Sequence, residues 1–163
     1  MKEIVAFISS PVGTIKLVQN GDSISSIHFM DNAETDVDTN VSTPLLQECA
    51  LQLAAYFKGT LTHFTFPMAQ SGTDFQQRVW TQLQAIAFGK TINYNQLAIQ
   101  LGDAKCIRAA GTANGRNNIA IVVPCHRVIG SDGSLTGYAG GLWRKQWLLE
   151  HEAKFAHGVQ MLF

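Results

Sequence analysis

The first thirty residues are a succession of short β-prone runs broken by turn chemistry. Residues 4–8 and 14–19 are separated by the cluster Ser9-Ser10-Pro11-Val12-Gly13, and Asn20-Gly21-Asp22 is a strong hairpin signal before a third run at 24–29. Residues 31–43 are polar and acidic and read as a loop. From 44 to 57 the period changes: Leu45, Cys49, Leu53, Tyr56 and Phe57 recur at helical spacing, and Gly59 ends that helix. A short strand is predicted at 64–66, closing an N-terminal α+β lobe.

The second half is mainly helical. Thr73 or Asp74 can cap a helix running to about residue 88, with Phe75, Val79, Leu83 and Ile86 on its apolar face and Gly89 as its stop. Thr91-Ile92 precede a short helix at 95–101, then Gly102-Asp103, then a further helix from 104 to about 114. Two helices joined by a tight glycine-containing turn form a helix-turn-helix pattern, a shape that plain helical cores also use. Residues 119–123 form a buried, strand-like apolar run ending at Pro124. A glycine-rich loop at 130–141 and a last helix at 143–152 complete the chain. The pattern predicts an α+β protein divided into an N-terminal lobe, 1–70, and a C-terminal region, 71–163.

Length and composition fit that picture. A chain of 163 residues buries roughly 70% of its unfolded surface and forms a core without staples. It is 46% apolar and 15% charged, and no apolar run is long enough to span a bilayer. The N-terminus shows no secretory pattern, so a reducing, cytoplasmic location and no membrane partner are expected. Three widely spaced cysteines, none in a CxxC pair, argue against a disulfide framework or a structural zinc site. His28 and His63 read as ordinary histidines, because neither has a second ligand at useful spacing. Net charge is zero, yet residues 1–72 carry three basic against seven acidic residues and residues 73–163 nine against five. That asymmetry points to a polyanion partner for the C-terminal half.

The candidate nucleophile is Cys125, in Val123-Pro124-Cys125-His126-Arg127-Val128. A thiol becomes a nucleophile when a neighbouring base or cation populates its thiolate, and Cys125 follows a rigid proline and precedes His126 and Arg127 at the exit of an apolar run. Cys49 and Cys106 read as packing residues. The competing reading makes Cys125 a buried structural cysteine beside a solvated Arg-His pair. His126 need not touch the thiol directly; a bridging water and an orienting carboxylate from Glu150 or Glu152 would complete a relay. The helix over 105–115 is rich in small residues, which allow close approach to a nucleic-acid groove or, equally, tight helix packing. Arg108 at its start could occupy the space of an extruded base. Gly137-Tyr138-Ala139-Gly140-Gly141 could wall a base pocket or be a plain loop.

These residues resemble one family over nearly the whole chain: the single-turnover O6-alkylguanine-DNA alkyltransferases, or methylated-DNA–protein-cysteine methyltransferases. The resemblance rests on Gly72-Thr73-Asp74-Phe75-Gln76, Val79-Trp80, Tyr94-Asn95-Gln96-Leu97-Ala98, Arg108-Ala109-Ala110-Gly111, Ala113-Asn114-Gly115-Arg116-Asn117, the Pro-Cys-His-Arg-Val-Ile-Gly run, and Gly137-Tyr138-Ala139-Gly140-Gly141-Leu142. It implies a ribonuclease H-like N-terminal lobe and a winged-helix-like helix-turn-helix. It implies Cys125 as alkyl acceptor, His126 with Glu152 as the water-linked relay, Asn117 orienting that relay and the active-site turn, and Tyr94 protonating N3 of the leaving guanine. Arg108 would be the finger entering the minor groove, with Ala109, Ala110, Thr112, Ala113, Arg116 and Arg127 at the DNA. Tyr138, Ala139 and Gly140 would line the pocket for the flipped base. The implied partner is double-stranded DNA carrying O6-alkylguanine, and O4-methylthymine by extension, bound by a monomer without metal or organic cofactor. Departures are Ala87 and Asn118, where relatives commonly carry proline, and Ala110-Gly111 in place of Val-Gly. A non-enzymatic binder of alkylated DNA is the main alternative, and Cys125 speaks against it. A cysteine hydrolase would need an oxyanion hole, a transcription factor would not need the Cys-His pair, and a zinc deaminase would need a second cysteine after Cys125.

Overall fold

The computed structural model describes residues 2–31 and 41–158. By contacts the chain forms two compact units, residues 1–71 with 118–120, and residues 72–117 with 121–163.

The first unit is built on a three-stranded antiparallel sheet in the order β1 (Glu3–Ile8), β2 (Thr14–Asn20), β3 (Ser23–Met30). Gly21, at φ +62°, supplies the left-handed residue that the β2–β3 hairpin turn requires. Ile15, Leu17, Ile24 and Ile27 are fully buried, as are Leu46, Cys49, Leu53 and Tyr56 of α1 (Pro44–Lys58), which packs on β2 and β3. Each such side chain contributes roughly 1.5–3 kcal/mol of apolar burial. Helix α1 begins where Thr43 accepts the Leu46 N–H at 3.1 Å and Pro44 fills the first turn; it ends at Gly59, left-handed at φ +81°. The strand predicted at 64–66 does not form. Gln52 instead binds Thr65 through its side chain, accepting the Thr65 N–H and donating to Oγ1, each at 2.9 Å. The edge of β3 is paired at single residues, Ile24 with Met68 and Ile27 with Ile119. The predicted acidic loop at 31–43 lies mostly outside the described residues.

The second unit holds α2 (Asp74–Gln84), β4 (Ile92–Asn93), α3 (Tyr94–Gln100), α4 (Ile107–Gly115), β5 (Val128–Ile129) and α5 (Leu142–His157), with β4 and β5 paired in parallel. Capping boxes start α2 (Thr73 with Gln76) and α3 (Asn93 with Gln96). Helix α2 stops four residues before the predicted end, because residues 85–88 turn to present the Ile86 carbonyl to Arg127. Gly102, at φ +97°, makes the helix-turn-helix corner between α3 and α4. The predicted helix over 104–114 divides into a 3-10 turn at Ala104–Cys106 and α4 proper, since Asp103 caps the turn by accepting the Lys105 N–H at 2.9 Å. The apolar run 119–123 is buried but not a strand: Ile121 sits at φ +71°, where a β-branched residue costs roughly 1–2 kcal/mol. Helix α5 extends five residues past the predicted end, to a left-handed Gly158.

Trp80 of α2 fixes α4, donating its indole N–H to the Ala113 carbonyl at 3.0 Å in the core. A Cβ on Gly72 would lie 2.5 Å from the Trp80 ring. We therefore expect Gly72→Ala to displace that ring and lower the unfolding free energy by about 1–3 kcal/mol in urea melts. An unchanged midpoint would show that the ring is not held there.

Candidate active site

The 3-10 turn at Cys125–Arg127 lies between Pro124 and β5, and all three of its side chains are buried. Its anchor is Glu152 on α5, which is 1% exposed. Arg127 donates Nε to Glu152 Oε1 at 2.7 Å and Nη2 to Oε2 at 3.1 Å, in a bidentate fork, and Nη1 to the Ile86 carbonyl at 2.6 Å. His126 Nε2 is 2.6 Å from Glu152 Oε2, and the Gly89 N–H donates to Oε1 at 3.3 Å. Burial alone would raise the Glu152 carboxyl, but the charges and hydrogen bonds of His126 and Arg127 hold it well below the usual carboxylate range. Burial, assisted by the Arg127 and Lys145 charges, pulls His126 down against the pull of Glu152. In its neutral form the imidazole donates Nε2–H to the carboxylate, which leaves Nδ1 as an acceptor. That Nδ1 is buried with no hydrogen-bond partner among the described residues.

Cys125 lies 8% exposed on the same turn. Asn117 donates Nδ2 to its sulfur at 3.3 Å and to the Val123 carbonyl at 2.7 Å, while Asn114 donates to the Cys125 carbonyl at 3.4 Å. Burial pushes the thiol above its ordinary range; the Asn117 amide, the Lys145 charge and the Tyr138 hydroxyl oppose it. The Tyr138 hydroxyl is itself buried, and burial with the nearby Cys125 and Glu152 raises it well above the usual phenol value. Cys49 is raised to about 12 by burial with no opposing group, which matches the packing role expected of it. Cys106 is half-buried, with its thiol 3.8 Å from the Ala98 carbonyl.

Two cations that sequence reasoning missed hold the glycine-rich loop. Arg144, buried, donates to the Gly140 carbonyl at 2.9 Å, with its guanidinium carbon 4.5 Å from the Trp143 ring centroid. Lys145, fully buried, donates to the Thr136 carbonyl at 2.8 Å and lies 6.0 Å from the Tyr94 ring centroid. Burial lowers the Lys145 ammonium to about 8, although Cys125 pulls the other way. A legible signal existed: Lys145, Leu148, Leu149 and Glu152 recur at helical spacing, so two ionisable groups share an apolar stripe.

The structure thus gathers Cys125, His126, Glu152, Asn117 and Tyr138 around one turn. Tyr94 opens α3, half-buried, with its ring beneath Gly111 of α4. Ala139 is exposed and Gly140 buried in the loop held by Arg144. Arg108, Ala109, Thr112 and Arg116 lie on the exposed face of α4. Three residues expected at the DNA differ. Arg127 is consumed by Glu152 and the Ile86 carbonyl, and Ala110 and Ala113 are buried, facing inward with Asn114. Among the described residues no group of three or more His, Cys, Asp or Glu could hold a metal ion.

Glu152→Gln should leave Arg127 a buried, uncompensated cation and cost about 3–5 kcal/mol of stability. In the parent, the carboxylate's contribution is fully present above about pH 4.3 and drains away as pH falls below it, because the folded carboxyl is depressed. Denaturant melts at neutral and acid pH check both: the gap between parent and variant should narrow in acid, and a constant gap would contradict the assignment.

Residues 74–154 match the family model described as 6-O-methylguanine DNA methyltransferase, DNA binding domain, and residues 4–70 that described as 6-O-methylguanine DNA methyltransferase, ribonuclease-like domain. A methylated-DNA–protein-cysteine methyltransferase of Methanosarcina barkeri is 45% identical over 148 residues, spanning 89% of this chain and 94% of its own. One from Mycobacterium bovis is 42% identical over 158 residues, 96% of each chain. The crystal structure of Mycobacterium tuberculosis O6-methylguanine methyltransferase aligns with TM-score 0.85 at 40% identity over 97% of both chains, and that of Mycobacterium tuberculosis OGT in complex with DNA with TM-score 0.84 at 42% identity over 93% of both. With both halves matched in order across nearly its whole length, the chain belongs to the 6-O-methylguanine DNA methyltransferase family.

Proposed function

We propose that this protein repairs DNA by transferring the alkyl group of O6-alkylguanine irreversibly to Cys125. The observation that carries this reading is a buried thiol bonded to the Asn117 amide at 3.3 Å, next in sequence to a buried histidine whose Nδ1 has no partner among the described residues and whose Nε2 is tied to a carboxylate at 2.6 Å. A non-enzymatic lesion binder has no use for such a relay.

The chemistry follows from those groups. A water between the Cys125 thiol and His126 Nδ1 passes the thiol proton to the imidazole, and the Glu152 anion stabilises the imidazolium that results. The Asn117 amide and the Lys145 charge stabilise the thiolate. The thiolate attacks the alkyl carbon in line; a carbon–sulfur bond forms as the bond from that carbon to guanine O6 breaks. Charge developing on the guanine is offset by Tyr94, which donates its phenolic proton to N3 and is reprotonated from the relay. The proton lost by the thiol ends on the released guanine. The thioether is a poor leaving group, so each molecule acts once.

Guanine O6 is out of a cysteine's reach within the stacked duplex, so the base must be extruded, at a cost lowered by the weakened lesion pair. The exposed face of α4 suits this task. Ala109 and Thr112 let the helix approach the minor groove, Arg108 fills the space of the flipped base, and Arg116 meets phosphate. Tyr138, Ala139 and Gly140 wall the pocket. We infer a monomer acting in the cytoplasm, where its unpaired cysteines remain reduced; no helix among the described residues is long and apolar enough to cross a membrane.

Incubation with an O6-methylguanine duplex should add one methyl group per protein on the peptide bearing Cys125, and Cys125→Ala should abolish the gain. Retained binding with an unmodified cysteine would sink the transferase reading in favour of the lesion binder. Lys145→Met should slow transfer about tenfold or more and displace its rise with pH to higher pH, since the thiolate loses a nearby charge. The parent's dependence on that charge should fade as pH rises through about 8. Identical pH profiles for the two proteins would remove Lys145 from the mechanism.

A further inference from the structure

Asn117 presents its amide to the Cys125 sulfur at 3.3 Å, a close contact for a sulfur acceptor, so a rotation of its backbone that lengthened it would weaken the bond. On its N-terminal side the backbone hold is weak: the Asn117 N–H reaches the Asn114 carbonyl at 3.4 Å. The peptide planes that follow are held far better. The Asn118 N–H donates to Gln70 Oε1 at 2.8 Å, the Asn118 carbonyl accepts the Ile27 N–H at 2.9 Å, and the Ala120 N–H donates to the Ile27 carbonyl at 3.1 Å. The next residue, Ile121, sits at φ +71°, a conformation that a β-branched side chain leaves as soon as its surroundings allow. The bonds to residues 118–120 therefore hold a strained turn whose relaxation would move Asn117.

Of these bonds only one uses a side chain, and only one fixes the plane shared by Asn117 and Asn118. Position 118 is also where the family resemblance leads one to expect proline. Proline has no N–H to satisfy and a fixed φ, whereas asparagine brings both a donor and backbone freedom. Gln70 meets the donor.

We propose that Gln70 is a positioning residue for alkyl transfer: by accepting the Asn118 N–H it fixes the peptide plane after Asn117 and keeps the Asn117 amide on the Cys125 sulfur. This rests on the reading of Cys125 as the alkyl acceptor. It adds a requirement from a residue that touches neither thiol nor DNA in that reading, and the requirement is peculiar to a chain with a donor at position 118.

The test is single-turnover methyl transfer from an O6-methylguanine duplex, followed from mildly acid to mildly alkaline pH, with duplex affinity measured alongside. Gln70→Ala should slow transfer about three- to tenfold and move its rise with pH to higher pH, with duplex affinity unchanged. Gln70→Glu, which keeps an acceptor oxygen, should stay within about twofold of the parent. In an Asn118→Pro background, where no N–H remains, Gln70→Ala should cost nothing. A parental rate and pH profile in Gln70→Ala would overturn the role of Gln70, as would a loss in the glutamate variant equal to that in alanine. Should Gln70→Ala fold too poorly to assay, the proline background decides: a slowing there by loss of Gln70 overturns the proposal, and its absence supports it. Absence of transfer in the parent itself would sink the reading of Cys125 and this role with it.

Discussion

A carboxylate with 1% of its surface in water is costly unless its neighbours replace the hydration it has lost. Glu152 meets that demand with a bidentate arginine, a histidine N–H and a backbone N–H. Its partners come from two other stretches of chain, so satisfying this one side chain ties α5 to the 125–127 turn and to the residues after α2. The same bonds fix the chemistry. Once Nε2 of His126 must carry a proton for the carboxylate, Nδ1 must be the basic atom, and that atom is buried. The ion pair and the proposed relay share one carboxylate: Arg127 anchors it, and the proposal gives His126 the reactive part.

That dependence explains why Arg127 is absent from the outer surface. The family resemblance places Arg127 at the DNA, but a buried carboxylate has first claim on a guanidinium whose fork matches it. Helix α4 divides in the same way. Its small residues left two readings open, groove approach and tight packing, and the packing is realised on one face. Ala110, Ala113 and Asn114 pack inward, with Trp80 holding the Ala113 carbonyl, and Arg108, Ala109, Thr112 and Arg116 are exposed. The exposed face is the one the proposed groove approach would use.

What the sequence made legible follows from how local each signal is. The β1–β3 meander, α1, the Thr73 cap of α2 and the glycine at the α3–α4 corner are written in neighbouring residues, and they form where expected. Elements that depend on distant partners were not legible. The run at 64–66 has strand composition, but the Gln52 side chain takes its hydrogen bonds; the run at 119–123 has strand composition, but one residue of it turns left-handed. At the site, Cys125 and His126 stand out because they adjoin in sequence. The residues alone offer Glu150 or Glu152 as the partner of His126, and only family resemblance chooses Glu152. Lys145 escaped notice because a lysine near the start of a helix ordinarily faces water, and its place on the stripe with Leu148, Leu149 and Glu152 becomes telling only once that face is known to be buried.

The direction of the Cys125 shift completes the logic. A nucleophilic cysteine is often described as one whose thiol has been acidified, yet here burial wins and the thiol is held protonated. For a protein that can react only once, this is the safer resting state. A standing thiolate would be spent on any small oxidant or electrophile that entered the pocket. A protonated thiol beside a neutral base, with an amide, an ammonium and a phenol poised around it, ionises only as the proton moves along the relay. The charges that favour the thiolate, Lys145 and the incipient imidazolium, are themselves sheltered by the same burial, so their influence on the sulfur is strong where bulk water would have screened it. Burial thus lowers the chance of premature loss and strengthens the interactions that drive the reaction when a substrate is in place.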